Sequence, residues 1–227
     1  VILSRELEMK TELKNDVMII TLDDGKANVV GHSLLDELLP ALDQAEKEAK
    51  AVLIFGRAGI FSAGFDLKEL QKGAAQSRAL VSRGYELLHR LYGFPLPVVS
   101  ACTGHGIGLG AFILLASDIR IGVTGDSKIS LPETAISMQL SPLLIEVASA
   151  RISKRHIIRA AVQSENYLPD LAVDAGFLDE VVEAADLFTK AFETAEKLSL
   201  LPGEFYAKNK LAVRKTSLEL MGQNLSA

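Results

Sequence analysis

The sequence predicts an α/β domain whose last third is helical. Three observations support this. Short apolar runs alternate with amphipathic helical stretches through the first 131 residues. Two glycine-rich turns, FSAGFDL at 61–67 and GHGIGLGA at 104–111, each follow an apolar run and precede a helical one. From residue 142 onward the pattern is almost wholly helical.

The elements follow in order. Residues 7–13 and 17–22 read as strands, with Asn15 and Asp16 turning between them. Residues 31–50 read as a helix with Leu34, Leu35, Leu38, Leu39, Leu42 and Ala45 on its apolar face, and Pro40 is expected to kink or divide it. Residues 51–55 form a continuous apolar strand of the kind buried on both faces. Residues 56–59 read as a loop, and FSAGFDL then feeds a helix starting near Asp66. A long amphipathic helix spans 77–92, and the strand 98–102 follows the prolines at 95 and 97. Residues 108–117 are apolar all round, which predicts a central buried helix. Strands are expected at 118–123 and 128–131, and terminal helices at roughly 187–200 and 203–221.

Length and composition set outer limits. The chain has 227 residues, 48% hydrophobic and 23% charged, with ample material for one large core. The net charge of −5 and the lack of a basic run argue against a nucleic-acid partner. Cys102 is the single cysteine, so an intrachain disulfide and a cysteine-zinc cluster are both excluded. Its apolar surroundings predict a buried structural thiol. The opening VILSRELEM is too short and too charged for a signal peptide, and no apolar run approaches the ~18 residues of a membrane span. The expected setting is a reducing cytoplasm, away from membranes.

Each glycine turn can aim a backbone N–H at one point, and two such turns can form an oxyanion hole without a charged side chain. Other readings fare worse. Residues 106–111 satisfy a loose G-x-G-x-x-G/A pattern, but the turn lies mid-chain and the next strand ends at Val123 without an acid, unlike a dinucleotide fold. No G-x-S-x-G elbow is present for a serine hydrolase. His32, His89 and His156 read as surface or helix-face residues, and His105, inside the second turn, as a packing or hydrogen-bonding residue. No histidine or acid pair has metal-ligand spacing, so no metal site is expected.

FSAGFDLKEL, GHGIGLGAFILLASDIRI and the Pro132-Glu133 pair occur in an order and spacing that resembles the crotonase (enoyl-CoA hydratase/isomerase) superfamily, from about Met9 to Lys215. The resemblance implies a spiral of ββα repeats over 1–185 that carries an acyl-CoA site. A helical region over 186–227 would cover the core or contact another subunit. It further implies a coenzyme A thioester as substrate, no separate cofactor, and a homo-oligomer, a trimer or hexamer.

Residue by residue, the resemblance makes the backbone N–H groups of Phe65 and Leu109 the oxyanion donors and Glu133 the catalytic carboxylate. Leu109 stands where family members carry the middle glycine of a Gly-Gly-Gly run. Ala63 matches the position whose backbone meets the adenine. Lys26 and Ala27 match the loop bordering the pantetheine and phosphates, and Asp66 and Leu67 continue the CoA-binding stretch. Phe112 stands where hydratases carry their first glutamate. Hydration needs that second carboxylate to share a water, whereas a double-bond shift needs one base beside an apolar wall. The implied function is enoyl-CoA isomerisation in fatty acid metabolism with Glu133 as proton shuttle. The alternatives are a hydratase acting without the first glutamate and a catalytically silent acyl-CoA-binding protein. Met138, Leu140 and Leu143 are expected either to line an apolar acyl pocket or to pack in the core.

Overall fold

The computed structural model describes residues 9–223 and 225. The first two residues of the expected strand 7–13, and the leader reading of the opening residues, lie outside the described residues apart from Met9.

The chain begins with a hairpin, β1 (Lys10–Lys14) and β2 (Val17–Thr21), turned at Asn15 and Asp16, both with positive φ. Helix α1 (His32–Glu48) leads to β3 (Ala51–Phe55), β4 (Gly59–Ser62), the short α2 (Leu67–Leu70) and α3 (Ala74–Tyr92). The next unit is β5 (Val98–Cys102), β6 (Gly104–Ile107) and α4 (Leu109–Ala116). Then come β7 (Ile119–Val123), β8 (Ile129–Ser130), a 3₁₀ turn at Thr134–Ile136, and α5 (Pro142–Arg151). Helices α6 (Ile157–Ala161) and α7 (Pro169–Ala175), strand β9 (Glu180–Val182), α8 (Leu187–Ser199) and α9 (Gly203–Gln223) complete it.

The strands divide between two sheets in a repeating way. In each of three successive β-β-α units, the first strand joins a six-stranded sheet of order β1-β2-β3-β5-β7-β9. The second joins a three-stranded sheet of order β4-β6-β8. Apart from the β1–β2 hairpin, the pairings between these strands are all parallel among the described residues. This is the expected ββα spiral.

The central strands β2, β3 and β5 of the large sheet are buried on both faces, as their continuous apolar sequences require, while β1 at the edge is exposed. Along β2 and β3 the side chains alternate. Met18, Ile20, Val52 and Ile54 enter the main core with α1, α3 and α4. Val17, Ile19, Ala51 and Leu53 enter a second cluster, capped by Leu187, Ala191, Phe192 and Ala195 of α8. Helix α8 thus covers the chain's own sheet. Each fully buried large side chain contributes about 1.5–3 kcal/mol. All eight residues of α4 are buried, matching its uniformly apolar sequence.

Several expectations need correction. Helix α1 runs unbroken through Pro40. The proline lies on the exposed side, so water can serve the carbonyl it leaves unbonded, while Leu38, Ala41 and Leu42 hold the helix to the core. Strands β4 and β6 occupy stretches read as loop and turn, and β9 interrupts the stretch read as helical. His156 is neither a surface nor a helix-face residue. It is buried, with Nε2 3.0 Å from Asp174 Oδ2 and Nδ1 3.3 Å from the Tyr167 hydroxyl, and it pins α6 to α7.

Candidate active site

Two loops meet at the N-terminus of α4. The first follows β4. Val30 N donates to Gly64 O at 2.7 Å and Asp66 N donates to Val30 O at 3.2 Å, a parallel bridge between Val30 and Phe65. In such a bridge the residue between the bonded neighbours turns its own N–H and C=O to the other side. The Phe65 N–H therefore faces away from Val30, and it has no acceptor among the described residues.

The second loop follows β6. Gly108 holds φ +52° and ψ −123° and delivers the chain into α4, with Leu109 as its first residue. The opening N–H groups of a helix have no partner within it, and the helix dipole adds partial positive charge there. The Leu109 N–H has no acceptor among the described residues. The two loops touch: a Cβ placed on Gly64 would lie 3.1 Å from Leu109 N and 2.7 Å from Ile107 O. The Phe65 ring and the Leu109 side chain both lie over Gly84 of α3.

Glu133 comes to the same place from the segment after β8. A Cβ on Gly108 would lie 3.6 Å from Glu133 Oε1. The residue is only 8% exposed, and Oε2 is buried without a hydrogen-bond partner. Burial pushes the carboxyl pKa up, and a hydrogen bond from its own backbone N–H offsets part of this. Its backbone is fixed by Met138 N donating to Glu133 O at 2.8 Å.

The loop preceding α1 is built around Asn28, a buried residue with φ +48°. Its Nδ2 donates to Leu22 O at 2.8 Å and Phe61 O at 3.1 Å, and its carbonyl accepts from Ser62 Oγ at 2.7 Å. Ala63 N donates to Ala27 O at 2.9 Å, which joins Ala27 and Ala63 directly. Lys26 is exposed at the edge of this loop. Asp66 caps α2, its Oδ1 accepting from Lys68 N at 2.9 Å, and Leu67 is exposed on the first turn. Phe112 is one turn into α4 and fully buried in the main core.

Thus Phe65, Leu109 and Glu133 converge at one point. Lys26, Ala27, Ala63, Asp66 and Leu67 form a strip along the two adjoining loops. Beyond Glu133, a cavity of about 630 Å³ is lined by Thr134, Met138, Leu140, Ile145 and Ile158. Of the three residues expected either to line an acyl pocket or to pack in the core, Met138 and Leu140 line this cavity and Leu143 packs in the core.

Tyr85 of α3 went unnoticed in the sequence, where it is one residue on a helix face. Burial raises its hydroxyl pKa, the neighbouring Ser141 hydroxyl opposes that, and the Glu133 carboxylate adds to it. Its local sequence carries no signal of this, because Ser141 and Glu133 reach Tyr85 only through the fold. His105 staples β6 to the loop before β8, its Nδ1 accepting from Lys128 N at 2.9 Å. Burial holds the Cys102 thiol protonated, with its pKa pushed up to about 12. Among the described residues no group of histidine, cysteine and acidic side chains could hold a metal ion, and no helix is long and apolar enough to cross a membrane.

Comparison with known proteins gives this arrangement a lineage. A family model described as enoyl-CoA hydratase/isomerase matches residues 12–224. A probable enoyl-CoA hydratase of Bacillus subtilis is 37% identical over 121 residues, which cover 52% of this chain and 46% of that protein. The chain spans about half the length of the first curated relatives it matches. An enoyl-CoA hydratase/isomerase family protein from Pseudomonas syringae superposes with a TM-score of 0.94 at 36% identity, covering 96% of this chain and 95% of that one. Human mitochondrial Δ3,Δ2-enoyl-CoA isomerase superposes with a TM-score of 0.91 at 25% identity, covering 96% and 88%. The spiral of ββα units, the paired glycine turns and a match over nearly the whole chain agree: this protein belongs to the enoyl-CoA hydratase/isomerase family of enzymes, the crotonase superfamily.

Proposed function

We propose that the protein is an enoyl-CoA isomerase, moving the double bond of a 3-enoyl-CoA thioester into conjugation, with Glu133 as its only proton carrier. The observation that carries this reading is the Glu133 carboxylate: buried, with Oε2 unpartnered, beside two free amides, with apolar Phe112 where a second carboxylate would be needed for hydration.

In this reading the thioester oxygen accepts from Phe65 N–H and Leu109 N–H. Glu133 takes a proton from C2, and the electron pair of that C–H bond delocalises into the C3–C4 double bond and the carbonyl. The resulting dienolate oxygen is held by the two amides, each such donor being worth about 3–4 kcal/mol in a transition state. Glu133 returns the proton to C4, the C2–C3 double bond forms, the carbonyl is restored, and the carboxylate is regenerated. A raised carboxyl pKa suits a base that must also give its proton back. Lys26, Ala27, Ala63, Asp66 and Leu67 flank the nucleotide and pantetheine, and the cavity at Met138 and Leu140 takes the apolar acyl tail. The reaction needs no separate cofactor. The likeness to the human enzyme named an isomerase supports this reading. We further propose the cytoplasm as its setting, fatty acid metabolism as its context, a trimer or hexamer as its assembly, and 1–185 and 186–227 as core and helical regions.

The relatives named as probable hydratases favour a second reading, hydration of a 2-enoyl-CoA with ordered water in place of the first glutamate. One experiment separates the two. With 3-enoyl-CoA, the isomerase reading requires growth of the conjugated-thioester absorbance, lost in Glu133→Gln. Formation of 3-hydroxyacyl-CoA from 2-enoyl-CoA, without that isomerisation, would replace it with the hydratase reading. Tight thioester binding with neither reaction would make the protein a silent acyl-CoA binder.

A further inference from the structure

At the far end of α4 and α5 from Glu133 lies a cavity of about 460 Å³ with an unusual charge balance. Its lining includes Arg151, Lys210 and Arg214, and no carboxylate. Behind the wall, the Asp118 carboxylate serves two of these cations at once, with Lys210 Nζ at 2.7 Å and Arg214 Nη2 at 2.8 Å. Arg151 has no acidic partner among the described residues. Its Nε and Nη2 donate to the Leu115 and Ser117 carbonyls at the end of α4, at 3.3 and 2.7 Å. Two of the three cations therefore share one buried carboxylate, and the third is held by backbone carbonyls.

The surplus positive charge is felt by its own members. Burial, then Arg120 and Arg214, lower the Arg151 pKa to about 10, with Tyr92 and the more distant Asp118 carboxylate opposing them. Burial lowers that of Lys210 to about 8, with Arg214 and Arg151 adding to the effect and Asp118 opposing it. The rest of the wall is mainly apolar or aromatic, Leu201, Pro202, Phe205, Tyr206 and Val213, with Asn209 as a further polar residue; Phe205 is 64% and Val213 87% exposed. Small-molecule sites commonly combine about 300–1,000 Å³ of mainly apolar wall with a few convergent polar groups.

We propose that this cavity is a second ligand site, separate from the catalytic one, for an amphiphilic carboxylate whose head pairs with Arg151 and whose hydrocarbon tail lies on Phe205 and Val213. The negative head supplies the charge that Asp118 divides between Lys210 and Arg214 and that Arg151 lacks. A hydrocarbon tail covers apolar surface that is otherwise exposed to water.

The test is calorimetric titration of the full chain with decanoate at low ionic strength, with decanol and inorganic phosphate as controls. Decanoate is expected to bind saturably, and decanol and phosphate at least tenfold more weakly. Arg151→Met is expected to weaken decanoate at least tenfold. Because Arg151 also caps α4, that variant can lose stability for its own reasons. Val213→Glu, an exposed change that sets a carboxylate at the rim, is expected to weaken binding similarly with an unchanged melting temperature. Equal binding of decanol, or undiminished decanoate binding in both variants, would overturn the proposal, the second outcome placing the decanoate elsewhere, as in the acyl site. No decanoate binding, with Val213→Glu altering the oligomeric state on gel filtration, would also overturn it, the cavity then being filled by another copy of the chain. Neither readout depends on turnover, so the result stands apart from the isomerase reading.

Discussion

Gly64 and Leu109 lie so close that a methyl group on residue 64 would stand 3.1 Å from the Leu109 nitrogen. Residue 64 also holds φ +84°, a conformation that L side chains rarely adopt. The first glycine turn thus leaves room for whatever the second turn's amide is to bind. Gly64→Ala is expected to strain the backbone by about 1–2 kcal/mol and to push the two loops apart at Ile107 O. Losing the alignment of one donor is expected to lower turnover about 10²–10³-fold. Urea unfolding and steady-state kinetics on 3-enoyl-CoA measure the two effects separately.

Glu133 predicts a stability that depends on pH in an uncommon direction. Its folded-state pKa is raised above the ordinary carboxylate value. Its contribution is therefore fully present below that ordinary value and is lost as pH rises through the folded pKa. Glu133→Gln removes the charge that burial penalises. The variant is expected to melt higher than the parent at neutral pH, to converge with it in acid, and to be catalytically dead. The parent's turnover is expected to rise with pH through the same elevated pKa. Paired melting curves and a pH–rate profile check both limbs.

Asp118 anchors α9 to the start of β7. Its side chain is 9% exposed and bonds Lys210, Arg214 and the Val98 amide. Asp118→Ala leaves two buried cations without their acid, and a loss of about 3–5 kcal/mol is expected. Chemical denaturation of the variant measures it. A loss below 1 kcal/mol would mean that α9 is held chiefly by packing.

Phe112 is fully buried, so Phe112→Glu places a carboxylate in the core. An uncompensated buried charge costs about 3–5 kcal/mol. The variant is expected to be less stable, more so at high pH. If the absent first carboxylate is what separates this protein from a hydratase, the folded fraction gains 3-hydroxyacyl-CoA formation from 2-enoyl-CoA. Unfolding curves and product analysis decide each half.

The sequence revealed most where local pattern and tertiary role coincide. The strand 98–102 agrees residue for residue with β5, because a run buried on both faces carries its own signal. Helix α4 and its flanking Gly108 and Ser117 were equally legible. Strands β4 and β6 were not, since their identity lies in pairing with each other across more than forty residues, and their glycines read as turn. His156 looked superficial because its partners, Asp174 and Tyr167, are reached only by the fold. The convergence of Phe65, Leu109 and Glu133 was anticipated from motif order. The crowding at Gly64, the pin at Asn28 and the approach of Tyr85 to Glu133 needed three dimensions.

The most direct test of the isomerase account is a crystal structure with a bound acyl-CoA. The account predicts the thioester oxygen about 3 Å from both Phe65 N and Leu109 N, with a Glu133 carboxylate oxygen within about 4 Å of C2. A thioester oxygen bound away from these amides, or Glu133 more than about 6 Å from C2, would contradict it.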